Sequence, residues 1–153
     1  DNENVVKVSS NGILKAVGCG NATITAKSTD DTSITVTANI TVKAKKAKFA
    51  VCKKKNDRWV KVRAKSQNGV SSFQYQMSKT SNFKPGRTSS YIDNTNSDVY
   101  TARLSANKTY YFRTRAIYYA NGKKCYGPWS NTVKIKTGTK GNTSWNCIWK
   151  NPK

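Results

Sequence analysis

The chain contains a run near its C-terminus in which residue character alternates with a period of two. One set of alternate positions is Tyr110, Phe112, Thr114 and Ala116, and the other is Tyr111, Arg113, Arg115 and Ile117. This period indicates a β-strand, because successive side chains of an extended chain point to opposite faces. Asn121-Gly122 follows and predicts a turn, since both residues tolerate positive φ. A second alternating run begins at Lys123, so the segment predicts a β-hairpin.

The rest of the chain shows the same kind of pattern. Short runs rich in Thr, Val, Ile and aromatic residues are separated by Asp-Asp, Pro-Gly and Asn-Lys turn signals. No ten-residue stretch keeps a helical period, and no apolar run approaches the roughly 20 residues that a membrane-spanning helix needs. We expect no signal peptide at the start of this sequence. We therefore predict an all-β protein.

Motifs between residues 47 and 137 resemble fibronectin type III domains. The run TYYFRTRAIYYANGKKCYGPWSNTVKIKT is similar to the last two strands of this family, in the variety common in surface and secreted proteins of Gram-positive bacteria. The run FQYQMSKTSNFK resembles an earlier strand of the same family. The resemblance implies a seven-strand β-sandwich. We place its strands at residues 48–53, 59–66, 73–78, 88–92, 99–104, 109–119 and 123–137.

The first forty residues resemble a second family. The run VKVSSNGILKAVGCGNATITA and the strand that follows at residues 33–42 are similar to the back half of a bacterial Ig-like domain of group 2. Such a domain has about seven strands, but only four can be placed here, at residues 5–9, 13–17, 22–28 and 34–42. We therefore expect a piece of a longer protein with one apolar face lacking its partner sheet. This apolar face would be covered by the second module, by another copy of the chain that exchanges strands, or by a different partner. The remaining alternative is that the segment is poorly ordered.

The two resemblances together define the predicted fold class. It is a tandem of Ig-like β-sandwiches, of which the first is incomplete and the second is fibronectin type III-like. We assign residues 1–43 to the first module, residues 44–137 to the second and residues 138–153 to a C-terminal tail. Residues 43–47 are expected to form a short linker.

The charge is concentrated in the second module. The chain carries 28 Lys and Arg against 7 Asp and Glu, a net +21, while residues 1–43 sum to zero. Such asymmetry attracts anionic partners, over a distance of about 8 Å at physiological salt. The densest basic run, residues 43–65, supplies the candidate ligand-binding residues Lys53, Lys54, Lys55, Arg58, Lys61 and Arg63. The alternative is a solvated edge strand, where lysines block edge-to-edge pairing.

Tryptophans and arginines form two further candidate sets. Trp129 is expected to lie beside Arg113 and Arg115 on paired strands, where stacked guanidinium groups would form a structural ladder or a ligand platform. In the tail, Trp145 and Trp149 are candidate stacking groups for sugars or bases. The alternative is that they attach the tail to the sandwich as an added strand.

The four cysteines suggest a disulfide rather than a metal site. The chain has no histidine and no C-x-x-C pair, which excludes a zinc site built from two such pairs. In an exported protein disulfides can form, and we expect Cys147 to pair with Cys52 or Cys125 and so anchor the tail. Cys19 is then expected to be a small buried residue. Free thiols throughout are the alternative, in an anaerobic organism.

Catalytic groups are scarce. General acid–base catalysis usually recruits histidine or a carboxylate with a shifted pKa, and the chain has no histidine and seven carboxylates. The loop from Asp93 to Asp98 offers oxygen ligands of the kind that calcium prefers, but it lacks the EF-hand spacing, and we expect an ordinary loop. We predict no enzyme activity, no metal and no cofactor.

The resemblance implies a role at the bacterial cell surface. We expect a non-catalytic, extracellular spacer or adhesion module of a cell-surface or secreted protein. If it binds a ligand directly, we expect an anionic glycan or cell-wall polymer, held by the basic run and the tail tryptophans. Two alternatives are a structural subunit assembled by strand exchange and a non-specific nucleic-acid-binding protein. Nucleic acid is disfavoured, since neither module resembles a nucleic-acid-binding fold.

Overall fold

The computed structural model describes residues 2–95, 97–101, 104–120, 123–139 and residue 149. Within these ranges the regular structure is all strand, with no helix. The prediction of an all-β protein is therefore confirmed. In the described part of the chain no helix is long and apolar enough to cross a membrane. The predicted turn at Asn121-Gly122 lies outside the described residues.

Twelve strands lie in the described ranges. They are β1 (Val6–Val8), β2 (Leu14–Ala16), β3 (Gly20–Lys27), β4 (Thr35–Val42), β5 (Phe49–Asn56), β6 (Trp59–Ala64), β7 (Ser72–Ser78), β8 (Thr88–Asp93), β9 (Val99–Tyr100), β10 (Thr109–Ala120), β11 (Lys123–Tyr126) and β12 (Val133–Lys136). The chain divides into two compact units. The first comprises Asp1–Ala44 and Tyr118–Tyr126, and the second comprises Lys45–Ile117 and Gly127–Lys153. Sequence analysis assigned residues 118–126 to the second module, whereas the structure groups them with the first forty residues.

The first unit contains two antiparallel hairpins, β1–β2 and β3–β4. In the longer hairpin Ala22 lies opposite Ile40 and Ile24 lies opposite Ala38, whereas Thr23 lies opposite Asn39. Because directly opposite residues share a face, the hairpin has one apolar face and one polar face. The polar face carries Asn21, Thr23, Thr25, Lys27, Thr35, Thr37, Asn39 and Thr41.

The apolar face of the first unit is only partly buried. Val5, Val6 and Ala22 form a small core, against which Ile24, Ile40 and Val42 pack. Large apolar side chains elsewhere in the unit are exposed, namely Val8, Ile13, Leu14, Val17, Ile34 and Val36. Val36 reaches 67% exposure although its strand is paired. The described strands thus leave apolar surface uncovered.

The second unit is built on two sheets. One has three strands in the order β5-β6-β9, and the other contains β10, β7 and β8 in that order, with β12 also paired to β10. The Tyr75 hydroxyl on β7 accepts a hydrogen bond from the Ala64 amide of β6 at 2.8 Å, which joins the two sheets. Phe49 of β5 stacks on Tyr75 with ring centroids 6.3 Å apart. This arrangement is consistent with a β-sandwich.

The core of the second unit follows the alternation seen in the sequence. Tyr110, Phe112, Thr114 and Ala116 of β10 are all buried, and Val60 and Val62 of β6 are completely buried. Ile117 belongs to the alternate set of β10 positions, yet it is buried as well. At that point both faces of β10 are covered.

The last predicted strand is divided in two. Residues 123–137 were predicted as one strand, but pairing is interrupted between β11 and β12. The reason is Pro128, which has no amide hydrogen to give to a ladder. On either side of it Gly127 and Ser130 still donate to the carbonyls of Ala116 and Thr114, at 2.9 and 2.7 Å. The predicted strand at 99–104 is also shorter, since β9 ends at Tyr100.

Candidate anion-binding surface

Three of the candidate cations meet on the outer face of the three-stranded sheet. Lys53 of β5 lies directly opposite Lys61 of β6. Val60 and Val62 point into the core, so Lys61 and Arg63 point outward by alternation. We call Lys53, Lys61 and Arg63 the outer cation cluster. Lysines directly opposite each other repel, so this cluster favours a bound anion.

Asp98 balances only part of this charge. Its Oδ2 accepts a hydrogen bond from Lys61 Nζ at 2.8 Å, and its Oδ1 lies 3.5 Å from Arg63 Nε. The hydrogen bond with Asp98 raises the pKa of Lys61. Asp98 therefore pairs with two of the three cations of the cluster, Lys61 and Arg63. The sequence analysis named Asp98 only as part of the acidic loop, because it lies between β8 and β9, 37 positions from Lys61.

The remaining candidates of the basic run are placed differently. Lys54 and Lys55 are exposed on β5 beside Lys53. Lys54 lies opposite the buried Val60, so the aliphatic part of its side chain starts on the inner face of the sheet, at the edge formed by β5. Inward-pointing charge of this kind protects edge strands.

Arg58 is half-buried, and its Nε donates a hydrogen bond to the Leu104 carbonyl at 2.6 Å. This hydrogen bond holds the loop at Leu104 in place. Arg58 therefore belongs to the loop structure and lies apart from the outer cation cluster.

The arginines and Trp129 have the geometry of the predicted ladder. The Arg113 guanidinium carbon lies 4.0 Å from the Phe83 ring centroid and 4.2 Å from that of Trp129. The Arg115 guanidinium lies 4.4 Å from the Trp129 centroid. Burial, followed by the neighbouring Arg115 charge, lowers the pKa of Arg113. The sequence analysis missed Phe83, which follows β7 in a turn and has a positive φ of 53°.

Glutamine side chains of the neighbouring strand hold both arginines in place. Arg113 Nε donates to Gln76 Oε1 at 2.8 Å, and Arg115 Nε donates to Gln74 Oε1 at 2.7 Å. Arg113 and Arg115 lie directly opposite these residues on β7. With their Nε atoms and ring contacts engaged, the two arginines stiffen the sheet.

The disulfide differs from the prediction. Cys19 is bonded to Cys125, with Cα atoms 6.3 Å apart, and both residues belong to the first unit. Pairing of Cys147 with Cys125 is therefore wrong, because Cys125 is already bonded to Cys19. Among the described residues Cys52 is a free thiol. Cys147 itself lies outside the described residues. Burial raises the pKa of Cys52 to about 12, so the thiol stays protonated near neutral pH.

Trp149 is a core residue rather than an exposed stacking group. It is 2% exposed and forms an isolated bridge with Thr101. Its ring centroid lies 6.2 Å from that of Tyr75 and 6.1 Å from that of Phe112. Burial excludes it from ligand stacking and favours the alternative that this residue attaches the tail. Trp145 lies outside the described residues.

The acidic loop after β8 is held by local hydrogen bonds. Asp93 is buried, and its Oδ1 accepts from the Thr95 amide at 3.0 Å and from the Thr95 hydroxyl at 2.7 Å. Asp98 is engaged with Lys61 and Arg63. Among the described residues, no group of three or more acidic, Cys or His side chains is placed to hold a metal ion.

Tyr110 is a structural residue that the sequence analysis did not single out. It is buried at the start of β10, and its hydroxyl accepts a hydrogen bond from the Ser105 amide at 3.2 Å. A tyrosine that bonds back to the backbone a few residues upstream closes the corner between two strands. The sequence signal that could have identified Tyr110 is its position as a tyrosine at the start of a long alternating strand.

No protein-family model matches this chain, and a search of curated proteins finds none similar to it in sequence. The interpretation of the chain therefore depends on its motifs and on the geometry described above.

Proposed function

We propose that the chain consists of non-catalytic Ig-like modules, an incomplete bacterial Ig-like module followed by a fibronectin type III-like one. The arrangement of a β5-β6-β9 sheet against a sheet containing β7, β8, β10 and β12 supports this class. The Tyr110–Ser105 hydrogen bond supports it further, since such a tyrosine corner is a hallmark of Ig-like sandwiches. The lack of histidine supports the non-catalytic role.

Within this class, the function that we propose is that of an extracellular spacer or adhesion segment of a bacterial surface or secreted protein. The Cys19–Cys125 disulfide supports an oxidising location outside the cytoplasm. The ligand of the second unit is an anionic glycan or cell-wall polymer. The observation that carries this proposal is the outer cation cluster. Lys53 lies opposite Lys61, and Asp98 is the one carboxylate among the described residues that pairs with Lys61 and Arg63.

A matched pair of charge variants tests the proposal. Lys53, Lys54 and Lys55 are changed together to Gln in one variant, and Lys7, Lys15 and Lys27 in the other. All six lysines are exposed, so both variants lose the same charge. We expect the first variant to bind heparin and teichoic acid about tenfold more weakly, with a shallower salt dependence, and the second to bind like the parent. Equal losses would show that only overall charge matters.

Duplex DNA in the same titration separates the nucleic-acid alternative. Charge alone gives DNA binding that ignores sequence and weakens steeply with salt. Sequence-selective retention of DNA near physiological salt would overturn the glycan assignment.

A second candidate function is that of a structural subunit assembled through the first unit. The observation that favours it is the exposed apolar face, on which Val8, Leu14 and Val36 lie open. Exposed apolar patches on stable proteins commonly mark interaction sites. Strand exchange between copies, or addition of a partner's strands, would cover this face.

A further inference from the structure

A groove lies between two unpaired strand edges of the second unit. It encloses about 400 Å³ and is lined by residues entering β5 and β12, among them Lys46, Ala47, Phe49, Asn131 and Val133. β5 has β6 as its hydrogen-bonded neighbour, and β12 has β10. Within the described ranges, each strand therefore has one edge without a hydrogen-bonded neighbouring strand.

Backbone groups of the segment entering β5 point toward the groove. The Lys65 amide donates to the Lys48 carbonyl at 2.8 Å, and Gln67 Nε2 donates to the Lys46 carbonyl at 3.0 Å. Lys46 and Lys48 thus face β6. Since successive residues of an extended chain direct their N–H and C=O groups to opposite sides, those of the half-buried Phe49 face away from β6. Ala47 is completely buried, so its backbone groups are not open to a partner.

The β12 edge offers backbone groups in the same way. The Thr137 amide donates to the Lys108 carbonyl at 2.9 Å, toward β10. By the same alternation the backbone groups of Lys134 and Lys136 face the free edge. Among the described residues no backbone hydrogen bond joins 46–49 to 130–133. The hydrogen bond that crosses the groove is a side-chain one, from Lys46 Nζ to Asn131 Oδ1 at 2.8 Å.

The side chains around the groove specify an acidic occupant. Residues 43–56 and 127–139 contain no carboxylate, while Lys46, Lys48, Lys134 and Lys136 are exposed on the two strands and their approaches. Between the lysines the lining is apolar, with Ala47 buried and Phe49 and Val133 half-buried. A strand that alternates acidic and apolar residues would place its apolar side chains inward and its carboxylates beside the lysines.

A second copy of this chain does not fit that description. Asp93 on β8 is the one carboxylate among its described strands. We propose that the groove binds an extended acidic segment of a partner protein by β-strand addition, with the segment pairing to the free edge of β5 or β12. This proposal is independent of polymer binding at the outer cation cluster.

A pair of peptides tests the backbone part of the proposal. The probe is a fluorescent ten-residue peptide that alternates Glu and Val, and its control carries N-methyl groups on alternate residues, which removes hydrogen-bond donors but keeps the charge. We expect fluorescence anisotropy to show binding of the probe and about tenfold weaker binding of the control. In the complex, the amides of Phe49 and Lys134 should shift in NMR spectra and become protected from exchange.

Charge-reversed variants test the location. Lys46→Glu with Lys48→Glu should weaken probe binding about tenfold, whereas Lys7→Glu with Lys15→Glu, an equal change of charge in the first unit, should leave it unchanged. Four outcomes would overturn the proposal: no binding, equal binding of both peptides, NMR shifts confined to Lys53–Arg63, or a dimer of the chain that occupies the groove. Polymer binding is measured separately, so the two proposals can fail independently.

Discussion

At the scale of single residues, charge balance separates the cations available to a ligand from those used by the fold. Lys61 and Arg63 share Asp98, whereas Lys53 lies opposite Lys61 and forms no ion pair in the part of the chain that the structure describes. Arg113 and Arg115 are held against Trp129. The sequence predicted where the basic residues cluster. It did not predict which of them are engaged, because Asp98 and Phe83 reach the cations through the tertiary fold.

Cys52 gives a prediction of pH dependence. Its pKa is raised from 9.0 to about 12 by burial, so the unfolded thiol ionises at lower pH than the folded one. The folded state is therefore fully favoured below pH 9, and this contribution is lost as the pH rises toward 12. We expect stability to fall by at most about 1.4 kcal/mol per pH unit from this group. Urea unfolding at pH 8 to 10.5 measures it.

The Cys52→Ala variant is the control for that experiment. It lacks the thiol but keeps the tyrosines, whose ionisation also affects alkaline stability. The variant should show a flatter pH profile above pH 9 than the parent. Identical profiles would contradict a buried, protonated Cys52.

At the scale of elements, alternation was a sufficient guide where a strand has one buried face. It located β10 and β6, with Phe112 and Val62 inside. It failed where a local residue interrupts pairing, as Pro128 does between β11 and β12. Alternation also could not assign residues 118–126 to the first unit, because membership of a unit depends on contacts between residues far apart in sequence. The Cys19–Cys125 bond, which spans 106 positions, is one such contact.

Removing that disulfide should affect the first unit selectively. A cross-link closing so long a loop contributes about 2–4 kcal/mol by restricting the unfolded chain. We expect Cys19→Ser to raise amide exchange in β3, β4 and residues 118–126, while the amides of β6 and β7 keep their protection. Hydrogen exchange followed by mass spectrometry measures both regions. Equal loosening throughout would contradict the assignment of residues 118–126 to the first unit.

At the scale of the whole molecule, charge and apolar surface are segregated. Residues 1–43 carry no net charge and expose an apolar face, while the surplus of +21 lies in residues 44–153. Two copies would repel through their basic parts and meet without repulsion through the neutral part. The charge division was readable from the sequence. The extent of the uncovered face was not, because it depends on how little of β1–β4 the Val5–Val6–Ala22 core buries.

Self-association should therefore depend on the apolar face alone. We expect light scattering to detect dimers that Val36→Asp dissociates at least tenfold more readily, since it places a charge on that face. Thr37→Asp puts the same charge on the polar face of the same strand and should leave the dimer intact. A parent chain that is monomeric at every concentration would remove the structural-subunit candidate.

The grouping of residues 118–126 with the first forty has a consequence for how such a gene can be rearranged. A nine-residue piece of one unit is encoded inside the other, between β10 and β12. Duplication, deletion or transplantation of either unit alone would remove Cys19 or Cys125 from its partner. We therefore expect the two units to be rearranged together in such a gene, because separating them would part Cys19 from Cys125. During translation, the disulfide of the first unit can form only after Cys125 has left the ribosome.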